Sequence, residues 1–402
     1  MKYALIMALY AAICSPKCFA QRSVGSDTLI KYTVNENVKN SEEPYFIEIR
    51  GKWESYLNEN AYLRRDQPHW NHELYAYPEM GYVSFLMYMR GLLQEGGNIQ
   101  CSFIGIVPVE HDFYLLKTVF TQKNRQNPGL VDIKFIVSVY VKKEKDSYQF
   151  YSSTQYYKEK IGVRKVGRLS YLIHPAHHFN EANALKMDKF NEEMAELFDL
   201  PPLQFDYVVA NNTRDLADIF GLHLFEYSYQ PVASGGMADV YNSIIYAGNG
   251  SEYYPHEVVH MYTHAKYPGQ YHSWIDEGIA ALLGGSTGYK IEWHWEKVRR
   301  FLVEHPDYDM SELSKLEAYV PNGEYITDFR YAIGALICQK IIDKEGMEGI
   351  FDALQGGRTE ADYFVLLERK LGIEQNEFED YVKTVFRQLT PIDDTKMENF
   401  SY

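Results

Sequence analysis

Apolar and polar positions alternate along the first part of the chain, in short runs that are typical of β-strands. The longest run, residues 131–141, is rich in β-branched and aromatic side chains, and shorter runs occur at residues 45–49, 104–107 and 148–151. A stretch with helical spacing interrupts them at residues 83–93. The pattern predicts a small α+β region with a curved antiparallel sheet.

From about residue 162 the pattern of apolar and polar positions changes, and longer segments appear. Helical spacing predicts helices at residues 179–198 and 215–220, and short apolar runs predict strands at residues 205–209 and 243–246. Further along, apolar residues recur every three or four positions in four segments punctuated by glycines. These segments span residues 331–344, 347–354, 359–371 and 375–389. We therefore predict an α+β domain at residues 21–160 and a second domain at residues 161–400 with a helical C-terminal lobe.

Residues 1–20 have the pattern of a secretory signal peptide. Lys2 precedes an apolar stretch from Tyr3 to Ile13, and small residues occupy the cleavage positions of Cys18-Phe19-Ala20. Cleavage is expected before Gln21. The apolar stretch is too short to cross a bilayer, so the pattern predicts a secreted or periplasmic protein.

The four cysteines add little to this prediction. A lipid anchor at Cys14 or Cys18 is disfavoured, because a large residue precedes each of them. Cys101 and Cys338 could be bridged in an oxidising compartment, but two buried free thiols are the favoured interpretation.

The length, composition and net charge of the chain limit the kinds of partner that we predict. With 402 residues, 46% of them hydrophobic, the chain is long enough for two sizeable cores. The net charge of −15 and the lack of a basic tract argue against nucleic acid as a partner. No later segment is apolar and long enough to predict a transmembrane helix. The oligomeric state stays open.

Residues 256–260 read His-Glu-Val-Val-His, which indicates a metal site. On a helix, His256 and His260 lie one turn apart on one face and could bind one zinc ion, with Glu257 as general base. A second helical segment at residues 274–283 carries Glu277 in an apolar surrounding, where a buried carboxylate needs a partner. Two histidines and one glutamate leave a zinc position open, as in catalytic sites.

Three neighbouring side chains are alternatives for this site. His264 continues the histidine spacing, but it lies one turn too far along a straight helix, so a packing or outer role is expected. His272 lies in the connecting loop and is expected to be solvated. Asp276 is the rival to Glu277, but adjacent side chains diverge by about 100° on a helix, so only one of them can face the metal.

His-Glu-x-x-His followed by Trp-x-x-Glu-Gly-x-Ala resembles the gluzincin metallopeptidases of the peptidase MA-like group. The resemblance implies a thermolysin-like domain in which His256, His260 and Glu277 bind one zinc ion and Glu257 activates water. Sixteen residues separate His260 from Glu277, fewer than in the best-known aminopeptidases of the group. No Gly-x-Met-Glu-Asn segment occurs either, so an aminopeptidase is disfavoured. The layout is similar to that of secreted Bacteroidota proteins.

The resemblance also implies a tyrosine that stabilises the oxyanion, in a Tyr-x-x-Gly context. Tyr331, three positions before Gly334, is the candidate, and Tyr325 and Tyr319 are the alternatives among 35 tyrosines. In gluzincins an edge strand beside the zinc helix pairs with substrate. Residues 242–247 are the candidate for it, with an internal strand as the alternative. The N-terminal strands resemble the cone-shaped sheet of nuclear transport factor 2.

The sequence therefore predicts a secreted zinc metallopeptidase, most simply an endopeptidase, acting on peptides or proteins. The alternative is a binding protein that keeps the zinc scaffold without turnover. Retention of Glu257 favours the enzyme, since this residue serves chemistry and not metal affinity. The substrate and the role of the N-terminal domain are not predicted.

Overall fold

In the computed structural model, the chain forms helices and two open β-sheets, a content that fits the α+β class. The structure describes residues 30–59, 64–94, 98–127, 129–145, 147–225, 235–269, 271–316, 319–320, 327–397 and 401. The predicted signal peptide lies outside the described residues.

The first sheet has six strands in the order β1-β2-β3-β4-β5, and β9 also pairs with β4. The strands are β1 (Lys31–Val34), β2 (Ile99–Glu110), β3 (Phe113–Lys123), β4 (Val131–Glu144), β5 (Ser147–Tyr151) and β9 (Leu222–Phe225). All pairs are antiparallel except β1 with β2. The strands predicted at residues 104–107, 131–141 and 148–151 are confirmed as parts of β2, β4 and β5.

Three helices accompany this sheet: α1 (Pro44–Asn58), α2 (Met80–Gln94) and α3 (Ser153–Ile161). The prediction of a helix at residues 83–93 is confirmed by α2, whereas the predicted strand at residues 45–49 is wrong because it lies in α1. Phe46, Ile49, Trp53 and Tyr56 are buried at helical intervals of three and four. Five alternating residues were too short a window to show that spacing.

The second sheet has five strands in the order β10-β11-β8-β7-β6. They are β6 (Arg164–Val166), β7 (Leu169–Ile173), β8 (Phe205–Val209), β10 (Gly235–Asp239) and β11 (Ile244–Gly248). The inner strands β7, β8 and β11 are parallel, and β6 and β10 are antiparallel to their neighbours. The predictions at residues 205–209 and 243–246 are confirmed by β8 and β11. The suggestion that residues 242–247 form an edge is wrong: β11 is internal, and β10 is the edge.

The remaining elements are helical. They are α4 (Glu181–Phe198), α5 (Thr213–Ile219), α6 (Pro255–Lys266), α7 (Ser273–Gly284), α8 (Ile291–Glu304), α9 (Leu313–Leu316), α10 (Phe329–Leu354), α11 (Glu360–Leu371), α12 (Phe378–Gln388) and α13 (Asp394–Met397). Gly346 lies between the segments predicted at residues 331–344 and 347–354, and it forms a kink in α10 with φ of 68°.

Two hydrophobic cores meet at the second sheet. Ile244 and Tyr246 of β11 face a core that includes the first sheet, whereas Ile245 and Ala247 face the core built with the helices. This alternation follows from the two-residue repeat of a strand. Cys101 and Cys338 are both buried free thiols, as favoured above. The division at residue 160 stays a prediction. The sheets change near that point, but β9 from the later part returns to the first sheet.

Candidate metal centre

Helix α6 presents two histidines to one point. Pro255 begins the helix, where its missing N–H costs nothing, and Val258 and Val259 are fully buried in the helical core. His256 and His260 therefore face away from that core together. Their Nε2 atoms lie 3.2 Å apart.

Glu277 of α7 reaches the same point. Its Oε2 lies 3.3 Å from Nε2 of His256 and 3.5 Å from Nε2 of His260. The three separations match the edge of a tetrahedron around an ion with bonds of about 2.0–2.1 Å, which is ~3.4 Å. Within the part of the chain that the structure describes, these residues form a group able to hold a metal ion.

Glycines allow α7 to approach closely enough. A Cβ atom at Gly284 would lie 2.6 Å from the backbone of His256. A Cβ atom at Gly278, next to Glu277, would lie 2.5 Å from the carbonyl carbon of Gly334 in α10. The glycines of the two sequence motifs thus face each other where α7 and α10 touch, which fixes the position of Glu277.

Outer contacts orient the two imidazole rings. Nδ1–H of His256 donates to the carbonyl oxygen of Gly285 at 2.7 Å, and Nδ1–H of His260 donates to Oδ2 of Asp276 at 2.9 Å. The other carboxylate oxygen of Asp276 accepts a hydrogen bond from Thr263 at 2.6 Å. Donation through Nδ1 turns each Nε2 towards the centre. Asp276 therefore orients His260 from the side opposite Glu277 and does not take the place of Glu277.

The donor set favours positive charge at the centre. Burial lowers the pKa of His260, but the carboxylates of Asp276 and Glu277 outweigh burial and hold that pKa well above its usual value. A proton or a cation is thus stabilised among these atoms. This charge balance, together with the spacing, means that the residues fit a divalent metal ion.

Arg330 is a part of the site that sequence reasoning missed. This side chain is 1% exposed, and its Nη2 lies 3.8 Å from Oε1 of Glu277. Burial raises the pKa of Glu277, but Arg330 and hydrogen bonds from both histidines hold it well below its usual range. In the sequence, Arg330 is a single arginine next to Tyr331 in an apolar segment, and this pattern does not predict its contact with Glu277.

Glu257 lies beside the three-residue group and is 6% exposed. Burial raises the pKa of its carboxyl group, against the opposing effect of the two histidines. Its carboxylate also accepts a hydrogen bond from the backbone of Ala238 in the edge strand β10. The sequence did not indicate β10, because its Gly-Gly-Met-Ala-Asp segment lacks the β-branched and aromatic residues typical of strands.

Among the candidate tyrosines that the structure describes, Tyr331 has its ring beside the three-residue group. It stacks on His256 with 5.3 Å between ring centroids and 22° between planes. Burial and the charge of Glu277 raise its pKa well above the usual value, so its hydroxyl stays protonated. Tyr319 forms a β-bridge with Asp328, and Tyr325 lies outside the described residues. A role for Tyr331 in stabilising an oxyanion stays a prediction.

The other two histidines have structural contacts. The ring of His264 packs 5.4 Å from that of Tyr241 and 6.5 Å from that of Tyr271, in keeping with a packing role. The expectation that His272 is solvated is wrong. It is buried as the N-cap of α7, where Nδ1 accepts the N–H of Trp274 at 3.2 Å and Nε2–H donates to a carbonyl oxygen at 3.0 Å.

None of the helices within the described ranges is long and apolar enough to cross a membrane. Comparisons with protein-family models, with curated proteins and with solved structures find no match to this chain.

Proposed function

We propose that this protein is a zinc-dependent metallopeptidase that hydrolyses peptide bonds in peptides or proteins. The observation that carries the proposal is the set of three donor atoms, 3.2 to 3.5 Å apart, next to the carboxylate of Glu257 on the helix that bears both histidines. His256, His260 and Glu277 would hold one zinc ion through two nitrogens and one oxygen. Such a donor set suits zinc and leaves a coordination position open.

When bound, zinc supplies Lewis acidity, which polarises a peptide carbonyl and makes water a stronger acid. Glu257 accepts the proton of the attacking water and passes it to the leaving amine. Its buried position supports both steps, because a carboxyl group with a raised pKa is a better proton acceptor and can release the proton again. Tyr331 donates its hydroxyl proton in a hydrogen bond to the oxyanion that forms.

The edge strand supports a peptide as substrate. Among the described strands, β10 pairs with β11 alone, which makes it an edge of the second sheet. Ala238 of this strand contacts Glu257, which brings the edge next to the general base. An extended peptide would bind there through main-chain hydrogen bonds, with little dependence on its sequence. The proposed location is outside the cytoplasm, as the N-terminal pattern predicts.

The test compares the mature protein with Glu257→Gln, which removes the base and keeps the three metal ligands. Zinc content is measured by elemental mass spectrometry, and cleavage is measured on a mixed peptide library. We expect one zinc per chain in both proteins and a loss of cleavage of about 10²–10⁴-fold in the variant. Glu292→Gln, at an exposed position of α8, is the control and should cleave normally.

The other outcomes have distinct meanings. Absence of zinc from the unmutated protein would overturn the proposal. Zinc in both proteins without cleavage by either would favour a binding protein on a zinc scaffold. Equal cleavage by both would remove Glu257 from the role of base.

A further inference from the structure

The two oxygens of the Glu277 carboxylate have different surroundings. Oε2 faces the Nε2 atoms of His256 and His260 at 3.3 and 3.5 Å. Oε1 points the other way and lies 3.8 Å from Nη2 of Arg330. One oxygen is thus directed to the metal group and the other to a buried cation.

Arg330 is held in place by its own helix. It lies in the first turn of α10, and its backbone N–H donates to Oδ1 of the N-cap residue Asp328 at 2.7 Å. The guanidinium carbon lies 5.2 Å from the centre of the Tyr331 ring. The glycine contact between α7 and α10 then fixes this turn relative to Glu277. The cation therefore keeps its position opposite Oε1.

Burial of a guanidinium group is unfavourable unless nearby opposite charges compensate for its lost hydration. Three other side chains that are buried around the centre, Glu257, Asp276 and Asp328, are also carboxylates. The remaining buried cations of the described residues, Lys370 and Lys383, pair with carboxylates of the C-terminal helical segments. Arg330 is thus a buried cation that faces Glu277 from the side opposite the histidines.

We propose that Arg330 is a positioning residue that restricts Glu277 to a single metal-facing oxygen. A carboxylate that is free to rotate can bind an ion through both oxygens, which raises the coordination number of the ion and obstructs the approach of a reactant. Attraction of Oε1 to Arg330 opposes that rotation. The residue acts through Glu277 and touches no substrate. The inference rests on the metal centre of the proposed function.

The test uses the mature protein loaded with Co²⁺. The visible absorption of Co²⁺ reports how many atoms coordinate the ion. Four-coordinate Co²⁺ absorbs more strongly than five- or six-coordinate Co²⁺, so a second oxygen from Glu277 lowers the intensity. Arg330→Met and Arg330→Gln both remove the charge, and the glutamine variant keeps a polar group in the buried space. Arg330→Lys restores the charge, and Arg369→Met removes an exposed arginine as the control.

We expect a loss of absorption intensity in the methionine and glutamine variants, recovery towards the unmutated spectrum in the lysine variant, and no change in the control. Unchanged spectra of both neutral variants with bound Co²⁺ would overturn the role of Arg330 and leave the peptidase proposal standing. Failure of the unmutated protein to bind either Co²⁺ or Zn²⁺ would overturn both.

Discussion

Each histidine of the metal group depends on an acceptor on the far side of its ring. For His260 that acceptor is the carboxylate of Asp276, which also accepts a hydrogen bond from Thr263. Thr263 and Asp276 together therefore orient the ring of His260. Asp276 and Glu277 are adjacent in sequence and act on opposite sides of the same imidazole. The divergence of neighbouring helical side chains, used to choose between them, also explains how both can contact the same ring from opposite sides.

The burial of His294 in α8 leads to a prediction of how the free energy of unfolding depends on pH. It is 2% exposed, Nε2–H donates to the carbonyl oxygen of Ser286 at 3.0 Å, and Nδ1 accepts from the hydroxyl of Thr327 at 3.2 Å. Both bonds suit the neutral ring, and burial lowers its pKa from 6.5 to about 4. Because the unfolded chain binds a proton that the folded chain excludes, stability falls as pH drops from 6.5 to 4, by ~3 kcal/mol in all.

The measurement is urea unfolding of metal-free protein at several pH values in this window, because metal binding has a pH dependence of its own. His294→Gln keeps a polar side chain that does not titrate, and it should lose less stability on acidification than the unmutated protein. Equal losses in the two proteins would contradict the assignment to His294.

The position of α7 depends on how closely it can pack against two other helices. Gly278→Ala places a methyl group 2.5 Å from the backbone of Gly334, where no flexible side chain can move aside. We expect a loss of about 1–3 kcal/mol or more in the free energy of unfolding, together with weaker zinc binding, because Glu277 moves with the helix.

The matched control is Gly51→Ala in α1, where a Cβ atom would have no neighbour within 4 Å. Here alanine should stabilise the protein by about 0.5–1 kcal/mol, since glycine loses more backbone entropy in a helix. Chemical unfolding and zinc titration of both variants check the pair. A Gly278→Ala variant as stable as the unmutated protein would show that the helices can separate without cost.

The second sheet contributes to both cores, and this predicts cooperative unfolding of the whole chain. Leu172, Val208 and Tyr246 pack with the first sheet, although their strands β7, β8 and β11 also contribute to the core that includes α6. A fragment that starts at residue 162 would expose this apolar face. We expect a single calorimetric transition for the intact protein, and a lower midpoint with dye binding for the fragment.

Calorimetry of both proteins tests this expectation, with agreement between calorimetric and van't Hoff enthalpies as the criterion of one transition. Two separate transitions, or a fragment as stable as the whole, would show instead that the part before residue 160 folds as an independent accessory domain.

The local sequence pattern was sufficient to predict an element or a site where the segment is long or the spacing of its residues is strict. Helix α2, strand β4 and the helices of the C-terminal lobe follow from periodicity, since the same few neighbouring residues decide both the pattern and the element. The group of three side chains able to hold a metal ion follows from the one-turn spacing of His256 and His260 and from the apolar surrounding of Glu277. Local pattern failed at residues 45–49, where five alternating positions belong to the helix α1.

Tertiary packing alone decided the features that join distant parts of the chain. Asp276 behind His260, Arg330 behind Glu277 and the edge strand β10 beside Glu257 all depend on which elements lie next to each other. The sequence lists the residues able to make such contacts, but many other pairs would be chemically equivalent. The close contact of Gly278 with Gly334 and the order of strands in the second sheet select among them, because this packing buries both cores and brings α6, α7 and α10 to the same point.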